Sequence, residues 1–345
     1  MSALVLAACA SPVAPSAVDG PIATTEPTPV PTKPPPDSSA AFIGWIDGSP
    51  TVGIRDPGPP ASWHIRSHVS SGWKELGNLP DGPSPVTDGT TAATVLDPEG
   101  GPDVAIAAPG QDVRLVVLPN DPWVAMWRGI QGLVPLAGRT GYLLAGGAAI
   151  GTLDDNGALH VTRVPDGYVA LAPTSDPDRF LLATEADASE PYALSEASRF
   201  AAYLWTVGSD RSPTILSPVV VAVAPSTVGL AWVRTDDGSW WSVASDETVR
   251  QVSQPNPDRT DISPDGHHVL LSSDRTMGCA PTAIDPCPVR LIDDSGSVQT
   301  FVGPLFGGSF KGDDVGMVLD IRPSLHLPWR LVSGATDQPA TIEVD

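Results

Sequence analysis

This chain of 345 residues has only three cysteines and only 19 Lys and Arg against 40 Asp and Glu, a formal charge of -21. A surface that acidic repels phosphate backbones, which argues against nucleic-acid binding and against unaided binding to anionic lipid headgroups. No apolar run has the length needed to span a bilayer. The longest glycine-rich one, Tyr142-Leu143-Leu144-Ala145-Gly146-Gly147-Ala148-Ala149-Ile150, is too short. There is no Gly-x-Ser-x-Gly elbow, no Gly-x-x-x-x-Gly-Lys phosphate loop and no dinucleotide-binding Gly-x-Gly-x-x-Gly in a strand–helix context. These absences weigh against several enzyme classes.

What is present begins with Leu6-Ala7-Ala8-Cys9, preceded by the apolar Ala3-Leu4-Val5-Leu6. This opening resembles a bacterial lipobox, in which Cys9 is lipidated and becomes the first residue of the mature chain. It lacks a basic leader, since the first Lys or Arg is Lys33. Residues 10–40 follow as a Pro, Ser, Thr and Ala segment including Glu26-Pro27-Thr28-Pro29-Val30-Pro31-Thr32-Lys33-Pro34-Pro35-Pro36. Proline removes backbone donors, and too little apolar surface remains to offset the entropy of ordering. Such a stretch favours extended polyproline II at about 3.1 Å per residue, a disordered tether with a reach on the order of 90 Å. The organisation expected is a lipoprotein-type signal over 1–9, a linker over 10–40 and a globular domain over 41–345. The resemblance implies an extracytoplasmic protein held to the bacterial cell membrane through lipid on Cys9.

The other two cysteines, Cys279 and Cys287, flank Ala-Pro-Thr-Ala-Ile-Asp-Pro. In an oxidising compartment two close cysteines are expected to form a disulfide, worth roughly 2–3 kcal/mol for so short a loop. Two thiols with no His or second Cys pair nearby make a poor metal site.

The domain reads as all-β. Short runs such as Phe42-Ile43-Gly44-Trp45-Ile46, Val113-Arg114-Leu115-Val116-Val117-Leu118 and Leu230-Ala231-Trp232-Val233 alternate with Gly, Asp and Pro. Convincing helical stretches are few, and residues 183–198 read as a long loop. Three turns look alike: Leu153-Asp154-Asp155-Asn156-Gly157, Val233-Arg234-Thr235-Asp236-Asp237-Gly238 and Leu291-Ile292-Asp293-Asp294-Ser295-Gly296. Each has hairpin chemistry. A second landmark recurs as Leu171-Ala172-Pro173, Val223-Ala224-Pro225 and Ile262-Ser263-Pro264, with fainter forms near Val86-Thr87-Asp88, Val134-Pro135-Leu136 and Gly308-Ser309-Phe310. Together with Phe42 these mark seven starts, spaced roughly 37 to 52 residues apart. A period near 40–45 with four short strands per unit is the pattern of a β-propeller.

One unit carries a family resemblance. Ile262-Ser263-Pro264-Asp265-Gly266-His267-His268-Val269-Leu270-Leu271 resembles the Ser-Pro-Asp-Gly repeat of TolB-type, WD-repeat-like propellers. The resemblance implies that Ser263–Gly266 make the turn between the innermost strand and the next, with Val289–Asp293 as the third strand. It covers one unit; elsewhere Pro173 and Pro225 remain while the Asp-Gly pair does not. It brings no catalytic residues with it. Seven four-stranded blades are expected, with six blades and longer insertions as the alternative. Ala340-Thr341-Ile342-Glu343-Val344 is strand-like and is placed beside the first blade to close the ring.

For chemistry the sequence offers little. His64 and His68 would share a face of a strand about 13 Å apart, too far for a common metal. Asp154-Asp155, Asp236-Asp237, Asp293-Asp294 and Asp313-Asp314 fall at turns whose oxygens would suit calcium. None has the spacing of a twelve-residue calcium loop, so no cofactor is expected. Thr235–Trp240 resembles the aspartate box of sialidase propellers, but is one residue short between Asp and Gly. Trp240-Trp241 reads as blade packing on two opposite faces, with a sugar-stacking platform as the alternative. The expectation is a monomeric, non-catalytic binding or scaffold propeller whose partner is a protein or envelope polymer. Candidate contacts are Asp265, Gly266, Trp240 and Trp241. The alternatives are a propeller hydrolase of extracellular glycans, which would need converging carboxylates with raised pKa, and a purely structural envelope protein.

Overall fold

The computed structural model describes residues 39–344 other than 97–101, 131–132, 137–138, 147–148, 155, 185–199, 221, 226–228, 236, 238, 252–258, 264, 273–287, 303–304 and 320–328. The chain divides into Met1–Thr32 and Lys33–Asp345, and every described residue lies in the second unit. Cys9, Cys279 and Cys287 lie outside the described residues.

The second unit is a seven-bladed propeller of four-stranded antiparallel sheets. Blade 1 comprises β1 (Ser39–Ile46), β2 (Ser49–Asp56), β3 (Ser62–Val69) and β4 (Gly72–Pro80). Blade 2 comprises β5 (Val86–Thr87), β6 (Ala92–Val95), β7 (Val104–Ala107) and β8 (Arg114–Val116), and is followed by α1 (Pro122–Ile130). Blade 3 comprises β9 (Val134–Pro135), β10 (Tyr142–Gly146), β11 (Ala149–Leu153) and β12 (Leu159–Arg163). Blade 4 comprises β13 (Tyr168–Pro173), β14 (Arg179–Thr184), β15 (Phe200–Thr206) and β16 (Thr214–Val220). Blade 5 comprises β17 (Ala222–Pro225), β18 (Ala231–Arg234), β19 (Trp240–Val243) and β20 (Val249–Gln251). Blade 6 comprises β21 (Arg259–Ile262), β22 (His268–Ser272), β23 (Pro288–Asp293) and β24 (Val298–Val302). Blade 7 comprises β25 (Leu305–Lys311), β26 (Asp314–Leu319), β27 (Trp329–Ala335) and β28 (Ala340–Val344).

Within each blade the strands pair in chain order, so every blade is a simple meander. First strands of successive blades meet, as β1 with β5, β5 with β9, β13 with β17, β21 with β25 and β25 with β1, and they form the hub. All seven starts marked in the sequence fall on or beside these first strands. The first described strand begins at Ser39.

The core is divided into seven slabs, one per blade-to-blade junction. The slab between blades 2 and 3 takes Ala93, Val95, Val104 and Ile106 from one and Tyr142, Leu144 and Leu153 from the other. That between blades 4 and 5 takes Leu181, Ala183 and Leu204 with Ala231, Val233 and Val243. The period-two alternation of a strand feeds two slabs at once. In β14, Phe180 and Leu182 pack toward blade 3 while Leu181 and Ala183 pack toward blade 5. This is why β6 and β7 are buried without interruption and β7 is apolar throughout, as sheets covered on both faces are.

One local expectation is corrected, and two features go beyond the sequence. β28 pairs with β27, from Trp329↔Val344 to Ser333↔Ala340, and not with blade 1, so no strand is shared across the closure. The three similar Asp/Gly turns are not equivalent. Those at Asp154 and Asp293 join third to fourth strands, whereas Thr235–Ser239 joins the second and third strands of blade 5. The helix α1 had no counterpart in the sequence reading. The Asp121 carbonyl accepts from Val124 N at 3.0 Å and Ala125 N at 3.1 Å, and Pro122 sits in the first turn where its missing N–H costs nothing. Val124 and Trp127 then fall on one face and enter the slab between blades 2 and 3.

A buried ion pair fixes α1. Asp103, 1% exposed, accepts from Leu118 N at 2.7 Å and from Arg128 Nε at 2.5 Å and Nη2 at 3.2 Å. Asp103→Ala leaves a buried amide and a mostly buried guanidinium without their acceptor. Urea unfolding should show a loss of about 2–4 kcal/mol. A loss below about 0.5 kcal/mol, the size of an ordinary surface change, would show that this pair does not hold the helix.

Candidate functional site

The first-to-second and third-to-fourth turns of every blade lie at one end of the ring, because antiparallel meanders return there. The Ser-Pro-Asp-Gly turn of blade 6 belongs to this end, between β21 and β22. Pro264 lies outside the described residues. Ser263 Oγ donates to Asp265 Oδ1 at 2.6 Å and accepts from His268 N at 2.9 Å, while Asp265 Oδ1 also accepts from His267 N at 3.0 Å. Gly266 N donates to the Ser263 carbonyl at 2.8 Å. Gly266 is required twice. Its φ of +82° is left-handed, and a Cβ there would stand 2.8 Å from Trp232 Cη2 of blade 5. The turn is thus seated on the neighbouring blade.

Burial alone would raise the Asp265 carboxyl. Hydrogen bonds from the Ser263 hydroxyl and His267 amide, with the nearby His267 and His268, hold it below the usual carboxylate range. His267 Nδ1 reaches Asp294 Oδ2 at 2.9 Å in the β23–β24 turn, an exposed pair of small energetic weight.

The structure brings some of the candidate residues together and separates others. Trp240, 2% exposed, packs with Trp232 and Ile262 in the slab between blades 5 and 6, beneath the Asp265-Gly266 turn. Trp241, the next residue, points the other way and packs against the slab between blades 4 and 5. The pair packs on two opposite faces, and the Trp240 ring has no face open for sugar stacking. His64 and His68 do lie on a strand, β3, and turn to different partners. His64 Nδ1 is 3.6 Å from Glu75 Oε1, whose carboxylate raises its pKa, and His68 stands edge-on to Trp73 at 5.2 Å. Among the described residues no three His, Cys, Asp or Glu side chains gather as a metal site.

The same turn position holds polar junctions that the sequence reading passed over. In blade 2 it is Thr87-Asp88-Gly89. This keeps an Asp-Gly pair, as does Asp47-Gly48 of blade 1, contrary to the expectation that the pair was confined to blade 6. Asp88 Oδ1 accepts from Thr90 N at 2.9 Å and Thr91 N at 2.7 Å, while Oδ2 accepts from Gly141 N of blade 3 at 2.6 Å. Fully buried Tyr142 of blade 3 hydrogen-bonds back through its hydroxyl to Thr91 Oγ1 at 2.8 Å and donates to the Thr91 carbonyl at 2.9 Å. Burial pushes its phenol far above the ordinary value. In blade 4, Ser175 Oγ donates to the Gly229 carbonyl of blade 5 at 2.6 Å and its amide to the Leu230 carbonyl at 2.9 Å. In blade 1, Asp47 N donates to the Gly89 carbonyl of blade 2 at 2.9 Å. The one legible signal for these was the faint landmark at Val86-Thr87-Asp88.

Chemically, these carboxylates serve as turn acceptors. Asp237 is lowered by the Thr235 hydroxyl and Ser239 amide, Asp293 by the Ser295 hydroxyl and Ser297 amide, and Asp246 by Thr248. Each carboxyl with a resolved shift among the described residues moves down, away from the raised pKa that a glycosidase acid needs. At neutral pH the lowered carboxyls of Asp246, Asp265 and Asp293 give this end of the ring an ionised, acidic rim, while Asp237 lies in a second-to-third turn at the other end.

Ser263→Ala removes the hydroxyl that Asp265 accepts. A carboxyl-detected NMR titration should find the Asp265 pKa moved up toward the unfolded value of about 3.9, with about 1 kcal/mol of stability lost at pH 7. A carboxyl depressed in the folded state contributes stability that is present above the unfolded pKa and lost as pH falls through the folded one. The urea midpoint of the variant should therefore fall less steeply than wild type below about pH 4. An unmoved Asp265 titration would rule out the hydroxyl as the cause.

No protein-family profile matches this sequence, and no curated protein is similar to it. Solved structures do match in fold. PorZ, a bacterial surface component of the type-IX secretion system of Porphyromonas gingivalis, aligns with a TM-score of 0.53 at 12% identity over 89% of this chain. This chain spans 39% of the length of PorZ. The β-propeller domain of the Trilobed protease from Pyrococcus furiosus, described as having an open velcro topology, aligns with a TM-score of 0.52 at 9% identity, covering 83% of this chain and 91% of that one. Virginiamycin B lyase from Staphylococcus aureus aligns with a TM-score of 0.50 at 12% identity, covering 82% and 92%. At these identities the likeness is one of fold: this chain is similar to all three in being a propeller.

Proposed function

We propose that this chain is an extracytoplasmic lipoprotein, held to the bacterial cell membrane through Cys9, whose propeller is a non-catalytic binding or scaffold module for a protein or envelope polymer. The observation that carries the reading is the use of the turn carboxylates. Asp88, Asp265 and Asp293 each accept from the amides and hydroxyls of their own turns. This favours a stiff platform over a reacting group. Support for the address comes from Leu6-Ala7-Ala8-Cys9 and the proline-rich segment that follows, read together with a ring that starts at Ser39. A surface role has a precedent on this fold in PorZ.

Two measurements test the reading. Mass spectrometry of the membrane-extracted protein should find the mature chain beginning at Cys9 and carrying at least two acyl chains, since one chain anchors only marginally. An unmodified Cys9 in the mature protein would remove the anchor. A pull-down from intact envelopes, with the proline-rich segment retained, should recover one partner in stoichiometric amount. Release of reducing sugar ends from envelope glycan by the purified protein would instead favour the hydrolase and end the non-catalytic reading.

A further inference from the structure

Six of the seven junctions between blades are crossed by the chain itself, often by a short link. Only residue 221 separates β16 from β17, and residues 164–167 separate β12 from β13. The junction between blade 7 and blade 1 is different. All four strands of blade 1 come from residues 39–80, and all four of blade 7 from residues 305–344. Among the described residues no strand and no link crosses it.

Among the described residues this seam is held by packing and by a hydrogen bond at the rim. Near the hub, the Phe42 ring lies flat against Gly316 of β26, where a Cβ would come within 2.2 Å of the ring. Phe42 and Trp45 meet edge to face at 5.0 Å. The slab then runs outward through Val52 and Ile54 of blade 1 against Val318, Trp329, Leu331 and Val344 of blade 7. At the rim Trp73 Nε1 of β4 donates to the Glu343 carbonyl of β28 at 2.9 Å.

From this arrangement we infer that the seam is a joint: the ring opens between blades 7 and 1, as two intact faces, before any blade loses its strands. The argument is one of entropy and connectivity. At the six linked junctions separated blades stay tethered by the chain, by one residue between β16 and β17 and at most by residues 117–133 between β8 and β9, so the open state gains less freedom and recloses at high effective concentration. At the seam the two faces are tied only through the other blades, so opening there releases more freedom. The backbone bonds of blade 1 run between β1 and β2, β2 and β3, and β3 and β4. Opening therefore breaks none of those ladders, and it belongs to the class of sub-global openings that precede unfolding. It uncovers an apolar wall of Phe42, Trp45, Val52 and Val318 and gives lateral entry to the hub.

Thiol labelling of single-site variants tests this. Val52→Cys and Val318→Cys place a thiol on either side of the seam, and Val233→Cys places one at the linked junction of blades 4 and 5. All three valines are fully buried. The full-length protein is exposed to iodoacetamide under native conditions, and modified peptides are located by mass spectrometry, which separates these sites from the natural cysteines. Positions 52 and 318 should react at least tenfold faster than position 233, at a rate that low urea hardly changes, because little surface is exposed. Trp73→Phe, which removes the rim hydrogen bond, should speed labelling at 318 several-fold further and leave 233 unchanged. Equal rates at all three positions, rising together with urea, would mean that thiols are uncovered only by global unfolding and would overturn the joint. If either seam variant fails to fold, the other reads the same opening.

Discussion

Each blade here is a four-stranded sheet that is apolar on both faces, and a sheet cannot bury its own faces. Everything else in the fold follows from that. Blade n is stable only because blades n−1 and n+1 cover it, as in repeat architectures where a unit has no core of its own. The seven slabs are the visible form of this dependence, with side chains such as Leu181 and Leu182 sent in opposite directions by one strand. The polar junctions are placed by the same rule. Turns that end first strands reach the second strand of an adjoining blade, the next one for Asp88 and Ser175 and the preceding one for Gly266, so each registers one blade against its neighbour.

That dependence also explains what could be read in the sequence. First strands recur at a period set by blade size, so their landmarks appeared at the right seven places even where the residues were poor, as at Val134-Pro135. The turn of blade 6 was legible because it needs a positive φ and a side-chain acceptor, and Asp-Gly supplies both. The same chemistry recurs at Thr235–Ser239, which joins a second strand to a third. Any tight hairpin calls for Asp and Gly, so composition alone cannot tell a second-to-third turn from a third-to-fourth one. The closing strand was misplaced for a related reason. Ala340–Val344 alternates like an edge strand in either position, and only β27 beside it decides the pairing. The helix α1 spans nine residues, too short for its period to stand out from a strand-rich background.

The candidate site was legible in part. Asp265, Gly266 and Trp240 do converge on the junction of blades 5 and 6, while Trp241 belongs to the slab on the far face. What the sequence could not show is that the acidic residues are internally engaged. A run of Asp reads the same whether its oxygens face solvent, a cation or the amides of its own turn. Only the geometry distinguishes them, and at Asp88 and Asp293 the amides are the partners. Long-range pairings such as Asp103 with Arg128, or Tyr142 with Thr91, leave no local trace because their members are far apart in the chain.

The entry of the chain at Ser39 has a mechanical meaning. Ser39 is the first residue of β1, whose partners run from Ser39↔Arg55 to Ile46↔Ser49 along β2. A protein held by its N-terminal segment and dragged by flow or by a bound partner would feel the tension along β1, parallel to the strand. That is a shearing load, in which the hydrogen bonds of the ladder share the strain instead of failing one by one. Under a pull along its own axis, the innermost strand of blade 1 is held by its whole ladder at once.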